Sequence, residues 1–528
     1  MRAALGWPDG PIVASHYRSG ASLAFAAAQD QLFTATEVNE WAWQGVAPAS
    51  AALPLPNAPG HPAAWDSESA QHTLHKVSEA EACPAAMALI ASALARHLPA
   101  FHDEDELSLG SGSGSQLWSL SALPTQVDWS PLHDIPTALV TGSNGKTSTV
   151  RLIAAMCAAA EIRAGFNCTD GICIGGEMIA QGDYSGPSGA RRVLRDQRVE
   201  VAVLETARGG ILRRGLAVRH ADAAIVTNVS ADHFGEYGVH SLADLADAKL
   251  VVARVLDADG VLVLNADDPV LLAKAESLPV ALAWFSLDDD HPHLQQHRRL
   301  GGRTCGVRSG ELVLHIDGAA HSVGDIVDMP LTLSGMARYN IANIAGAALV
   351  ASVLGVAPER IAEAAGKFGD ARTDNPGRLQ RWTIDRVEIL LDYAHNPDGL
   401  AGLLAIAKQL RAERGGRLGL LLGQAGNRDD DALRELARVA ANAGPDFVVL
   451  KDLDSYLRGR KVGEVPEALR AELLRLGQSR HSMQTVLPEV EAAQTLFEQA
   501  RAGDVLVLPV HNLSARENIV GWLDSLPQ

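Results

Sequence analysis

The stretch around residue 140 restricts the fold of this chain more than any other. Thr137-Ala138-Leu139-Val140 has the apolar texture of a strand buried in a parallel sheet. It runs into Thr141-Gly142-Ser143-Asn144-Gly145-Lys146-Thr147 and then into an apolar-periodic segment that begins near Ser148. Strand, glycine turn and helix in that order are the context of a phosphate-binding loop. Gly142 and Gly145 let successive N–H groups face one concavity, and the helix N-terminus adds partial positive charge. Lys146 can reach the β and γ phosphates of a nucleotide, and Thr147 can ligate Mg2+. The commoner loop has a glycine five positions before Gly145, where Val140 stands, so this is a shortened variant.

Similar strand-then-helix texture follows. Apolar runs at Val199–Glu205, Ala221–Val229 and Gly260–Asn265 continue a parallel α/β sheet, and alternation between Gly301 and Leu333 predicts antiparallel strands before helices resume at Tyr339. A second α/β unit begins after Pro376-Gly377, with strands at Val387–Tyr393, Leu418–Gly423, Asp446–Lys451 and Asp504–Pro509. The first 130 residues or so are rich in Ala, Pro and Ser. They contain a loose stretch from Val46 to Trp65 and the run Gly110-Ser111-Gly112-Ser113-Gly114-Ser115, which reads as a linker or a surface loop. The 528 residues thus divide into an N-terminal domain (1–130), a central domain (131–374) and a C-terminal domain (375–528).

Composition narrows the partners. With 45 Lys and Arg against 63 Asp and Glu, a formal charge of -18, the surface is not one that collects nucleic acid, so phosphate chemistry must be local. Five scattered cysteines without a CxxC pair suit a reduced compartment. No apolar stretch is long enough to span a bilayer, and the chain is expected in the cytoplasm, away from membranes.

Thr-Gly-x-Asn-Gly-Lys-Thr is the form of ATP loop used by Mur ligases and their folylpolyglutamate synthetase relatives, and further matches follow in family order. The chain resembles that family, which implies a three-domain α/β architecture with a central P-loop ATPase domain and a C-terminal Rossmann-like domain. The resemblance implies roles for individual residues. Gly142, Asn144, Gly145, Lys146, Thr147 and Ser148 would bind ATP, and Glu205, ending the strand in Leu204-Glu205-Thr206-Ala207-Arg208-Gly209-Gly210, would hold Mg2+. In Thr227-Asn228-Val229-Ser230-Ala231-Asp232-His233, His233 would be a second metal ligand, although Mg2+ prefers oxygen and, read alone, His233 is a structural or surface histidine. Lys249 stands roughly where several Mur ligases carry a carbamylated lysine, which would make it an oxygen ligand for a second Mg2+; read alone it is a solvated helix lysine. Asn340, in Arg338-Tyr339-Asn340-Ile341-Ala342-Asn343, would contact adenine, as an alternative to Asn265 in Asn265-Ala266-Asp267-Asp268, and either asparagine also fits a turn or helix cap. Arg378 and Asp392 would embrace the ribose and phosphates once the C-terminal domain closes.

Cys168-Thr169-Asp170-Gly171-Ile172, Gly182 to Pro187, Leu204 to Gly215 and Leu457-Arg458-Gly459-Arg460 resemble the Mur ligase-like half of the cyanophycin synthetase family. This implies an ATP-dependent carboxylate–amine ligase that forms an acyl phosphate and couples a peptide or amino acid carboxylate to an amino acid amine. Arg208, His395, Arg458 and Arg460 are the candidate substrate contacts; the two loop arginines also read as a solvated basic loop. Some 130 N-terminal residues cannot contain the ATP-grasp half of that family, so a companion ATP-grasp protein is the expected partner, and homo-oligomerisation is left open. No strand is evident before Gly110, which speaks against a glycine-rich UDP-sugar turn there. A peptidoglycan-precursor UDP-sugar ligase and a nucleotide-binding regulator without ligase activity are the alternatives.

Overall fold

The computed structural model describes residues 1–17, 20–46, 67–232, 234–453 and 456–527. The stretch from Val46 to Trp65 lies, except for Val46, outside the described residues, as does His233. Two compact units emerge: the first comprises 1–135, 194–200 and 235–240, and the second comprises 136–193, 201–234 and 241–528. The segment expected as the C-terminal domain falls in the second unit, as does the segment expected as the central domain except for 131–135, 194–200 and 235–240, and each is built around its own sheet.

The first unit carries the hairpin β1 (Ile12–Tyr17) and β2 (Gly20–Phe25), three helices (Leu32–Val46, Ser67–Glu81, Pro84–Leu94) and the antiparallel sheet β3 (Ala100–His102), β4 (Glu106–Leu109) and β5 (Gln116–Ser119). Ala86, Ile90, Ala93, Leu107 and Leu109 form its small core. The Gly110–Ser115 run is neither a linker nor a surface loop. Five of its six residues are buried, the exception being Ser113, and Ser111 Oγ bonds the Asp134 carboxylate. A strand, β4, does precede it, contrary to the sequence reading, and a single 3-10 turn, Gly112–Gly114, follows. Glycine and serine are chosen here because the chain packs against itself at close range, and composition alone does not separate that from flexibility.

In the second unit, eleven strands form one sheet: β6 (Thr137–Thr141), β7 (Ala164–Cys168), β8 (Gly171–Ile174), β9 (Glu177–Gln181), β10 (Val201–Glu205), β11 (Ala221–Val226), β12 (Leu256–Asn265), β13 (Ala281–Ser286), β14 (Arg303–Arg308), β15 (Glu311–Ile316) and β16 (Ala319–Asp325). Their order is 16-15-14-13-12-11-6-10-7-8-9. Strands β7, β10, β6, β11, β12, β13 and β14 are parallel, and antiparallel strands finish both edges. The expected antiparallel strands after Gly301 are β14 to β16; the β8–β9 hairpin was not legible, because its strands are short, β8 being buried throughout and β9 largely exposed, so neither alternates. Helix Arg338–Val353 is apolar on every side and is buried along almost its whole length among helix Lys146–Ala159 and the sheet. Its alanines and Gly346 let it approach both.

The C-terminal sheet has the order 17-18-22-19-20-21, built from β17 (Gln380–Ile384), β18 (Val387–Asp392), β19 (Leu418–Leu422), β20 (Phe447–Leu450), β21 (Met483–Thr485) and β22 (Val505–Pro509). All but β17 run parallel. Helices Pro397–Arg414, Asp430–Asn442 and Glu464–Arg475 cover one face, and Glu489–Glu498 and Leu513–Ser525 the other. The helix after β18 and the helix after neighbouring β22 therefore leave to opposite faces, which opens a crevice at their carboxyl ends. Among the described residues no single helix is long and apolar enough to cross a membrane.

The buried helix gives a stability test. Leu349 is fully buried and Leu300 is 80% exposed. Leu349→Ala should lower the free energy of unfolding in urea by about 2–5 kcal/mol, whereas Leu300→Ala should leave it within about 0.5 kcal/mol; equal effects would contradict this core.

Candidate active site

Parallel pairing of β6 with β10 and β11 brings three strand ends together. Glu205 lies opposite Val140, and Val226 opposite Thr141. The loop 142–147 leaves β6 through Gly142 (φ 149°) and Gly145 (φ 85°). A Cβ on Gly142 would fall 1.8 Å from Thr227 Oγ1, and one on Gly145 would fall 2.2 Å from Asn343 Oδ1. The segment after β11 backs the loop. Ser143 N donates to Asn228 O (3.0 Å), Asn144 N to Asn228 Oδ1 (2.9 Å), and Thr227 Oγ1 to Asn144 O (2.6 Å). These braces were missed in the sequence, where the segment drew notice only for His233.

Lys146 Nζ donates to the carbonyls of Gly142 and Ser143, each at 3.1 Å. Thr147 Oγ1 donates to Glu205 Oε2 (2.8 Å), and Thr169 Oγ1, from the turn after β7, donates to Glu205 Oε1 (3.1 Å). Glu205 is 1% exposed; burial pushes its carboxyl up, against the pull of Lys146, Thr147 and Arg378. A buried carboxylate flanked by two hydroxyls is an all-oxygen donor set. No cluster of three or more His, Cys, Asp or Glu side chains suited to a metal occurs among the described residues. The oxygen donors at Glu205, Thr147 and Thr169 are of the kind that Mg2+ takes.

The C-terminal sheet meets the loop directly. Asn144 Nδ2 donates to Asp398 Oδ2 (2.9 Å), Asn396 Nδ2 donates to Asn144 Oδ1 (2.9 Å), and Asn375 Nδ2 donates to Ser148 Oγ (3.0 Å). Arg378 Nη2 stands 3.4 Å from Thr147 Oγ1 with its guanidinium over the Tyr393 ring. Asp392 accepts from Leu379 N (2.7 Å); burial pushes its carboxyl up, opposed by Arg378. Between the two sheets lies a cleft of about 440 Å³ whose walls include Asn144, Gly145, Lys146, Thr147, Ser148, Glu205, Asn340, Arg378, Asp392 and His395. Gly142 forms the loop beneath it.

Lys249 lies in helix Leu242–Leu250, buried to 3% exposure, not solvated. Burial, helped by Lys146 and Arg208 and opposed by Asp232, drives its amine well below the usual lysine range. Arg208 starts the helix Arg208–Arg214 and is buried. His395 Nε2 lies 3.6 Å and Arg428 Nη2 3.0 Å from the Asp232 carboxylate. Arg458 and Arg460 stand apart from the cleft walls. Arg460 is engaged by the carbonyls of Gly426 and Arg428 and by Asp430 and Glu464, and Arg458 lies over Tyr456. Asn340 Nδ2 donates to Leu331 O (2.9 Å), and its Oδ1 accepts from Asn343 Nδ2 (3.2 Å). Residues the sequence reading did not assign include Asp170, Arg151 and Arg516; Asp170 and Arg516 are 346 positions apart, and no local pattern signals that pair.

Comparison with known proteins agrees with this geometry. A model of the Mur ligase middle domain matches residues 140–351, and a model of the Mur ligase, glutamate ligase domain matches residues 377–509. The cyanophycin synthetase of Synechocystis sp. is 37% identical over 376 residues, 71% of this chain and 42% of that protein. The UDP-N-acetylmuramoyl-L-alanyl-D-glutamate--2,6-diaminopimelate ligase of Chlorobaculum tepidum is 27% identical over 389 residues, 72% of each chain. A solved pseudomurein peptide ligase type C from Methanothermus fervidus aligns at a TM-score of 0.49 and 17% identity, over 74% of this chain and 79% of that one, a likeness too loose to bear on function. The chain thus spans under half the length of the cyanophycin synthetases it matches. With the loop and the Glu205 oxygen cluster in the first matched stretch and Arg378 and Asp392 in the second, the chain belongs to the Mur ligase family.

Proposed function

We propose that the cleft binds MgATP and joins a peptide or amino acid carboxylate to an amino acid amine through an acyl phosphate. One observation carries the reading: Lys146, Thr147 and Glu205 from the central sheet face Arg378 and Asp392 from the C-terminal segment across a single cleft. A nucleotide binder has no need of that second wall, whereas a ligase must keep water from an activated acyl group. In the first step a carboxylate oxygen attacks the γ-phosphorus in line and ADP leaves. In the second an uncharged amine attacks the acyl carbon, inorganic phosphate leaves with the carboxylate's oxygen, the amine gives up one proton, and the amide bond remains.

The loop N–H groups and Lys146 orient and neutralise the phosphates, and Arg378 adds a planar fork of donors from the opposite wall. Glu205, with the Thr147 hydroxyl, would hold Mg2+, which would supply positive charge to offset that of the phosphates. Asn340, in the cleft wall, is the proposed adenine contact, and Asp392 with Arg378 the proposed contacts to ribose and phosphates. Lys249 is the nitrogen that carbon dioxide would carbamylate, since its burial favours the uncharged, nucleophilic form of the amine. The 72% mutual coverage with the diaminopimelate-adding ligase supports a second reading, in which the carboxylate belongs to a UDP-N-acetylmuramoyl peptide.

Phosphate release from MgATP should require one carboxylate and one amine together, with aspartate-rich peptides and UDP-N-acetylmuramoyl-L-alanyl-D-glutamate both in the panel. Lys146→Ala should lower it about 100-fold or more; turnover indifferent to the amine rejects the ligase. In 13C-labelled bicarbonate the protein should show a carbamate carbon resonance that Lys249→Met lacks, and its absence from the wild type rejects carbamylation. In carbon dioxide-free buffer the folded Lys249 titrates below its unfolded value. Between the two the unfolded chain binds one more proton, so stability in urea should rise with pH across that window, and Lys249→Met should remove that part of the slope.

A further inference from the structure

Asp170, in the turn between β7 and β8, lies at the meeting point of three guanidinium groups. Its Oδ1 is 2.8 Å from Arg516 Nη2, its Oδ2 is 3.1 Å from Arg151 Nη2, and Arg378 Nη2 stands 3.9 Å from Oδ2. All four side chains are 12% exposed or less. They come from the helix after the phosphate loop, the β7–β8 turn, the segment entering the C-terminal sheet and the last helix, Leu513–Ser525. Arg516 reaches Asp170 across Gly377, where φ is 71° and any Cβ would fall 2.4 Å from the arginine's Cδ and Nη1. The glycine beside Arg378 is therefore what allows the approach.

The three arginines are not held alike. Arg516 and Arg151 occupy the two carboxylate oxygens at hydrogen-bond distance, whereas Arg378 is beyond it and is drawn by charge alone. Burial pushes Asp170 up, yet the surrounding guanidiniums outweigh it and keep the carboxyl below its ordinary range. Arg378 thus lines the cleft with one side toward Asp170 and the other toward Thr147 of the phosphate loop, so the place of the Asp170 carboxylate bears on where this guanidinium stands.

Resting on the nucleotide reading of the cleft, we infer that Asp170 is a positioning residue for Arg378: its pairs with Arg516 and Arg151 fix the carboxylate, and the fixed carboxylate sets where the Arg378 guanidinium stands against the terminal phosphate. Asp170 itself touches no phosphate. Because Arg378 stands beside Thr147, at the β,γ end of a loop-bound nucleotide, the effect is on ATP more than on ADP.

Equilibrium binding of MgATP and MgADP to the full chain tests this without need of the ligase substrates. Asp170→Asn should weaken ATP about tenfold, as loss of one charge-assisted contact does, and leave ADP within about twofold. Arg516→Met should do the same and Arg516→Lys should recover much of the loss. Asp170→Asn added to Arg378→Ala should bind ATP no more weakly than Arg378→Ala alone. Equal loss of ATP and ADP, an unchanged ATP affinity, or full additivity with Arg378→Ala overturns the positioning role. If Asp170→Asn fails to fold, the Arg516 pair decides by the same criteria. Wild type that binds neither nucleotide overturns the nucleotide reading, and this inference with it; wild type that binds ATP with variants unchanged overturns only the inference.

Discussion

Parallel register is the constraint on which this molecule turns. With β6 paired to β10 on one side and β11 on the other, three carboxyl-end segments must leave the sheet side by side: the phosphate loop, Glu205 and Thr227 to Ser230. A slip of one residue would turn Glu205 to the opposite face of the sheet. Because all three strands are buried and apolar on both faces, and a helix covers each connection, the sheet is rigid and the strand ends inherit that rigidity. The loop's close approach to Thr227 and Asn343 then makes Gly142 and Gly145 requirements of packing as well as of phosphate binding.

Electrostatics complete the site against the trend of the whole chain. A protein of formal charge -18 gathers Lys146, Arg151, Arg378 and Arg516 around a few buried carboxylates. Burial makes the charge of Glu205 and Asp392 costly, and each is offset by nearby cations, Lys146 and Arg378 for Glu205 and Arg378 for Asp392. The two sheets of the second unit are joined by this arrangement and by the Asn144–Asn396–Asp398 contacts, so the state of the loop and the place of the C-terminal sheet are physically linked.

The sequence made some of this plain. Thr137 to Thr147 showed strand, turn and helix because each step is local, and the β-rich texture from Gly301 to Leu333 was legible from alternation. Edges were less clear: β10 begins two residues after Val199, and β12 begins at Leu256 rather than Gly260, since pairing sets strand ends and propensity does not. Gly110 to Ser115 misled because close packing and flexibility favour the same small residues. Arg458 and Arg460 attracted attention as charges, yet Arg460 turns inward to its own domain's carbonyls. Asp170 stood inside a quoted motif, but its partners Arg151, Arg378 and Arg516 are brought to it by the fold, which no spacing reveals.

The central claim is that the carboxylate is activated by transfer of phosphate, and oxygen transfer tests it most directly. A carboxylate substrate that supports amine-dependent turnover, labelled with 18O in its carboxyl group, is incubated with the protein, MgATP and amine, and the released phosphate is weighed by mass spectrometry. One 18O atom per phosphate, carried over from the carboxylate, is the expected result. Phosphate free of label, with all 18O retained in the product or the unreacted acid, would mean that no acyl phosphate forms and would contradict the account.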